Sequence, residues 1–226
     1  MKKIVFYHVY LDGNFKLIIQ EQLFKLFASG LYKECDSIQL HVSTPDETRI
    51  PWLVNLVSKY NKIITTVIKI DKGNYPPDYR ESKITLMNLK KMADQEDALF
   101  CYFHSKGVSN HGYLIDLWRI SCDYATVWEW KKNVNMLNDG YDAVGPNLRY
   151  DTFLGRFPHF SGCYWWSKSE YLRTLDFSYL TDVTNKYLEE FWIGSNANGK
   201  LCSTFECGHN EPYLIETTLD KYITAN

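Results

Sequence analysis

The sequence predicts an α/β fold with a mixed central sheet flanked by helices, and three observations carry that expectation. Short apolar or β-branched runs alternate with segments of helical period as far as Gly145. The stretch Ala98-Leu-Phe-Cys-Tyr-Phe holds no charge and leads straight into His104-Ser105-Lys106-Gly107, as a strand covered on both faces does when it delivers polar residues at its end. Glycine, proline and Asx clusters stand between the periodic segments, where connections are needed. Strands alternating with helices at this spacing imply parallel pairing with crossover helices.

Ile4 to Tyr10 reads as the first strand. Asp12-Gly13-Asn14 turns into an amphipathic helix whose apolar side reads as Leu17, Ile18, Leu23, Phe24 and Phe27, stopped at Gly30. Ser37 to Ser43 alternates Ile38, Leu40 and Val42 as a second strand before Thr44-Pro45. Pro51 to Tyr60 is a short helix, and Lys62 to Ile70 is a β-branched third strand. After the loop Asn74-Tyr-Pro-Pro-Asp, Ser82 to Ala93 carries Ile84, Met87 and Met92 at helical spacing. Beyond the fourth strand, Tyr113 to Leu137 reads as one long helix, with Leu114, Leu117, Trp118, Ser121, Cys122, Ala125 and Trp128 along one face. Asn138-Asp-Gly ends it, and Tyr141 to Gly145 is another strand. Past Pro146 the rhythm changes: Asn147 to Pro158 reads as irregular, and Tyr164, Trp165 and Trp166 stand together before a helix begun at Ser169. Thr184 to Ile193 reads as a last short helix carrying Glu189 and Glu190.

At 226 residues with 45% hydrophobic composition the chain can bury a sizeable core, and one domain over 1–226 is the expectation. A formal charge of -2 without a long basic run argues against a surface made to neutralise a nucleic-acid backbone. Six dispersed cysteines fit a reducing compartment, and no segment reads as a signal peptide or a membrane span, so a cytoplasmic location is expected. Cys202, Cys207 and His209 fall one ligand short of a structural zinc site. At the end of the fourth strand, His104, Ser105 and Lys106 would stand at the rim of a pocket, with Gly107 letting the backbone turn or approach a ligand closely.

Five stretches, Tyr102-Phe-His104-Ser-Lys106-Gly, Leu117-Trp118-Arg119, Val144-Gly145-Pro146, Phe160-Ser-Gly162-Cys-Tyr-Trp-Trp166-Ser-Lys168 and Leu188-Glu189-Glu190-Phe-Trp192, occur in an order that resembles the rhamnan synthesis F family. They are also similar to the small glycosyltransferases with which large algal viruses decorate their capsids. The resemblance implies a GT-A-type domain, with a Rossmann-like half over 1–110 for the nucleotide sugar and 111–226 for the acceptor and the catalytic helix. It implies transfer of a hexosyl or deoxyhexosyl group from a nucleoside diphosphate, UDP first, to a hydroxyl of a glycan or glycoprotein. The alternative is a non-catalytic carbohydrate-binding protein on the same fold.

By position in such enzymes, Tyr7, His8, Val9, Tyr10 and Thr44 are candidates for the nucleoside. His104, Ser105, Lys106, Gly107 and Arg119 are candidates for the phosphates. The chain has no Asp-x-Asp, the usual anchor of a divalent metal in this fold; a lysine at that place can neutralise phosphate directly, and Arg119 offers a bidentate fork. His104 remains open as a phosphate or metal ligand, manganese being the ion that the resemblance suggests. Glu189 or Glu190 is the expected catalytic base, Asp182 a weaker choice. Asn147, His159 and Ser161 would hydrogen-bond the acceptor, and one of Trp165 and Trp166 would stack on it while the other is core.

Overall fold

The computed structural model describes residues 1–69, 82–109, 112–150, 158–182 and 187–206. In the first half, β1 (Lys2–Tyr10), β2 (Ser37–Thr44) and β3 (Ile63–Lys69) are separated by α1 (Phe15–Ala28), α2 (Leu31–Glu34) and α3 (Ile50–Val57), and α4 (Ser82–Gln95) leads into β4 (Ala98–His104). Next come α5 (Tyr113–Asp123), α6 (Trp130–Asn138), β5 (Ala143–Pro146), β6 (Leu148–Arg149), β7 (His159–Phe160) and β8 (Trp165–Lys168). The chain continues through α7 (Ser169–Arg173), α8 (Ser178–Thr181), α9 (Leu188–Trp192) and β9 (Leu201–Phe205).

Seven strands form one sheet in the order β3-β2-β1-β4-β8-β5-β9, and β6 with β7 makes a separate ribbon. β1 to β4 are parallel, β8 runs antiparallel between β4 and β5, and β9 is parallel to β5. The result is a Rossmann-like α/β layout with a mostly parallel sheet. From β1 the chain first builds outward through β2 and β3, then returns to place β4 on β1's other side. Order reverses there, and the crevice beyond the carboxyl ends of β1 and β4 is where such sheets receive ligands.

Side chains alternate across each strand. Val5, Tyr7 and Val9 of β1, Cys101 and Phe103 of β4 and Trp166 of β8 face a layer formed mainly by α1, α3 and α6. Ile4 and Phe6, Phe100 and Tyr102, and Trp165 face the layer of α4, α7 and α9. Among the described residues no helix is long and apolar enough to cross a membrane.

Three helices depart from the sequence reading. The inward face of α1 is Phe15, Ile18, Ile19, Gln22, Leu23 and Leu26, while Leu17 and Phe24 are 63% and 65% exposed. An apolar-rich helix offers two stripes, and the one containing Gln22 can go inside because its amide is fully bonded there. The long helix breaks at a π turn over Tyr124–Trp128, in which Glu129 N–H donates to Tyr124 O at 2.9 Å. The extra residue rotates the next turns of the helix, so Trp128 faces outward and Trp130, Asn133 and Leu137 face the core. Asn133 Nδ2 then donates to the Ala125 and Glu129 carbonyls at 2.7 and 2.9 Å. In α4 the buried positions are Ser82, Lys83, Thr85, Leu86, Leu89 and Ala93, with Ile84, Met87 and Met92 only partly covered.

Candidate functional site at the β1/β4 crevice

Pairing of β4 with β1 outlasts His104. Ser105 N–H donates to His8 O at 2.9 Å, and Ser105 Oγ accepts from Tyr10 N–H at 2.9 Å, which stitches the two strand ends together. Lys106 N–H then folds back onto His104 O at 2.8 Å, and Gly107 follows at φ 88°, a left-handed conformation that suits glycine. The turn sends the Lys106 ammonium over the Trp118 ring of α5, 3.6 Å from its centroid.

A second tight turn faces this one. Gly162 and Cys163, just before β8, have φ of 96° and 57°, and a Cβ added to Gly162 would lie 3.4 Å from the Trp118 ring. Positive φ at a non-glycine residue is sparsely populated and gathers at ligand-binding turns. Burial raises the Cys163 thiol well above its ordinary pKa, the charges of Glu189 and Glu190 raise it further, and Lys106 opposes them. The turn also packs on α9, with Cys163 Sγ 4.0 Å from Glu189 O. Glu189 is buried, and Ser82 Oγ, at the start of α4, donates to its Oε2 at 2.5 Å. Glu190, one position on, is only partly buried.

The neighbouring acceptor-side candidates are tied together through the main chain. Asn147, at φ 52°, donates its N–H to Phe205 O at 2.7 Å and accepts from Ser161 N–H at 3.0 Å, and the His159 ring packs on Phe191 of α9 at 4.6 Å. Asp182 gives its main-chain carbonyl to the buried Lys83.

Several expected site residues are placed elsewhere. Trp165 and Trp166 are 1% and 0% exposed: the first packs on Tyr102 and Trp192, and the second donates Nε1–H to Thr126 O at 2.8 Å on the opposite face. Both are core, so neither stacks on an acceptor. Tyr7 and Val9 are likewise interior, Tyr7 giving its hydroxyl to Gln22 Oε1 at 2.7 Å. The His8 ring lies beneath the sheet between Thr85 Oγ1 (2.8 Å) and Ser43 Oγ (3.2 Å), so only its carbonyl reaches the crevice. Thr44 is buried, and its hydroxyl donates to Asp46 O at 2.8 Å. Arg119 is buried between α1 and α5 with Nη1 2.8 Å from Glu21 and 3.6 Å from Asp123, which makes it a helix-to-helix clamp and not a phosphate ligand. Tyr10, Ser105, Lys106, Gly107 and the partly buried His104 do gather at the crevice.

Sequence reasoning missed a cluster on the other side of β1. Arg49 Nη1 donates to Asp12 Oδ1 at 2.7 Å and to Leu11 O at 2.8 Å, and its Nε lies 3.3 Å from Asp46. Asp46 caps the short turn at Glu47, and hydrogen bonds from Thr48, with Arg49 beside it, hold its carboxyl below the usual range. A strand followed by Thr-Pro-Asp-x-Thr carries that capping signal, though not the arginine's destination.

Among the described residues no three His, Cys, Asp or Glu side chains gather to hold a metal, and the β4 turn presents His104 and Lys106. Of the zinc triplet, Cys202 lies on β9, and Cys207 and His209 fall outside the described residues.

No protein-family model matches the sequence, nor does any curated protein. Among solved structures, the chain is similar to 4-diphosphocytidyl-2C-methyl-D-erythritolsynthase from Anaerococcus prevotii, with 14% identity and TM-score 0.45 over 99% of this chain and 97% of that one. It is also similar to HddC from Yersinia pseudotuberculosis, with 12% identity and TM-score 0.47 over 95% of this chain and 97% of that one. Likeness at this level says nothing about activity.

Proposed function

We propose that the chain is a GT-A-type glycosyltransferase that moves a sugar from a nucleoside diphosphate, UDP foremost, to a hydroxyl of a glycan or glycoprotein. What supports this most is the packing of the turn before β8 between the Lys106 turn and α9: Gly162 lies against the Trp118 ring that Lys106 covers, and Cys163 Sγ lies 4.0 Å from Glu189 O. Its resemblance to the rhamnan synthesis F family and to the algal-virus glycosyltransferases points the same way. A cation on one side and a carboxylate on the other are the two charges that the reaction needs.

The acceptor oxygen forms its bond to the anomeric carbon as the bond from that carbon to the β-phosphate oxygen breaks. The nucleoside diphosphate leaves with the electron pair, and Lys106 stabilises the negative charge that develops on it. Glu189, with one oxygen held by Ser82, takes the proton from the acceptor hydroxyl, and the sugar inverts.

The test is to screen nucleotides and nucleotide sugars by thermal shift and by UDP release, with and without manganese. A ligand at 100 times its Kd adds about 2.7 kcal/mol of stability. UDP release from one UDP-sugar, lowered about 10²–10⁴-fold in Glu189→Gln when acceptor is present, is the expected result. Glycan binding without UDP release would turn the reading to the non-catalytic alternative. Pyrophosphate release from a nucleoside triphosphate and a sugar phosphate, with no transfer from a UDP-sugar, would refute it in favour of nucleotidyl transfer.

A further inference from the structure

Behind the crevice lies a polar network that the proposed chemistry does not itself use. Gln22 is the one amide on the inward face of α1, among Ile18, Ile19, Leu23 and Leu26. Its Oε1 accepts from the Tyr7 hydroxyl at 2.7 Å, which leaves Nε2 to donate. One Nε2 hydrogen goes to Asp123 Oδ1 at 2.7 Å, and the other is shared between His104 O at 3.0 Å and the Tyr164 hydroxyl at 3.2 Å. Tyr164 in turn donates to His104 O at 2.5 Å. Asp123 is wholly buried and receives Lys25 Nζ on its other oxygen at 2.8 Å. Arg119, already between α1 and α5, adds positive charge 3.6 Å from that oxygen.

All of this converges on one main-chain atom. Pairing of β4 with β8 ends at Tyr102 and Trp165, so the carbonyl of His104 lies past the antiparallel ladder. It accepts from Tyr164, from Gln22 and from Lys106 N–H at 2.8 Å, while the amide of the same peptide unit donates to His8 O. With both ends of the His104–Ser105 peptide held, the direction in which Lys106 leaves the sheet is fixed.

A buried polar network is a poor way to gain stability alone, since apolar residues of similar volume often do as well or better. Its orientation of a main-chain hub is what apolar packing cannot reproduce. We infer that Gln22 and Tyr164 are positioning residues for Lys106, holding the turn from which its ammonium meets the donor phosphates. The inference rests on the proposed function only in what Lys106 meets.

Tyr164→Phe removes one hydroxyl and keeps the ring, and Gln22→Leu is the second variant; thermal melts establish that each is folded. Hydrogen exchange of the amides over 104–107 should quicken about tenfold or more, the scale of one lost hydrogen bond, with β1 and α1 unchanged. UDP should bind about tenfold more weakly and uridine equally well, by the same scale. In a Lys106→Ala background Tyr164→Phe should add almost nothing to the loss of UDP affinity, because the two act through one group. Unchanged exchange at 104–107 in a folded variant overturns the inference. So does an equal loss of UDP affinity in both Lys106 backgrounds, which would make the network merely structural. If the wild-type protein binds no nucleotide the proposed function fails, and the exchange measurement still decides whether this network sets the turn.

Discussion

Lowering the pH from 7.5 to 5.0 should destabilise this protein through two imidazoles under the sheet. Burial, aided by the field of His41, pushes His8 down from 6.5 to about 3, and burial pushes His41 down to about 4. His8 is satisfied in its neutral form by Thr85 and Ser43, and His41 packs edge-on against Phe6 at 5.3 Å. The folded protein therefore keeps both rings neutral at pH 5, whereas the unfolded chain protonates them below 6.5. Stability is fully present above 6.5 and is lost as pH falls from there towards 4 and 3. Each ring contributes about 2 kcal/mol of loss between pH 7.5 and 5.0, about 4 kcal/mol together, a large share of an ordinary domain's stability. Asp123, raised by burial against the pull of Lys25 and Arg119, works in the opposite sense. Urea unfolding at the two pH values gives the sum, and NMR titration of the imidazole carbons isolates the two histidines. Midpoints near 6.5 for both rings, or equal unfolding free energies in a chain whose rings stay neutral, would refute the reasoning.

Glu189→Gln should lower the rate of transfer by about 10²–10⁴-fold with nucleotide affinity little changed, whereas Glu190→Gln stays near wild type; the reverse pattern in steady-state assays moves the base by one residue. Ser82→Ala should lower kcat about tenfold, the scale of one hydrogen bond to a carboxylate, without unfolding the protein in a thermal melt. Trp165→Ala and Trp166→Ala should each cost about 3–5 kcal/mol in urea unfolding, and an intact fold with only the acceptor KM raised would restore the stacking role. Gly145→Ala would place its Cβ 2.4 Å from Tyr164 O, so a loss of about 1–3 kcal/mol is expected, with a melting temperature equal to wild type as the contrary result.

The parallel strands are legible because period and apolar content agree there: β4 begins where its charge-free run does and ends one residue beyond it, at His104. The crevice is legible through the polar residues that come after that run. Which side of an apolar-rich helix wins, as for Leu17 and Phe24, is not, because that depends on partners distant in sequence. Arg119 shows the same limit. A lone cation after a tryptophan looks available to a phosphate until Glu21 and Asp123 are brought beside it by tertiary packing. The tryptophan pair reads as split between core and site, but a strand inserted between two others has two cores to fill, one on each face. β9 carries no signal distinct from a loop, its residues being half-buried and mixed in polarity.

Insertion of β8 between β4 and β5 bears on how the protein is made. As the chain emerges from the ribosome, β1 to β4 can assemble early, but the outer edge of β4 keeps its hydrogen-bonding groups unpaired until Trp165 has been synthesised. The sheet closes only when a four-residue strand arrives from far along the chain and drives one tryptophan into each hydrophobic layer. Nascent chains stalled between Gly107 and Trp165 should therefore be the ones that chaperones hold and that aggregate when released.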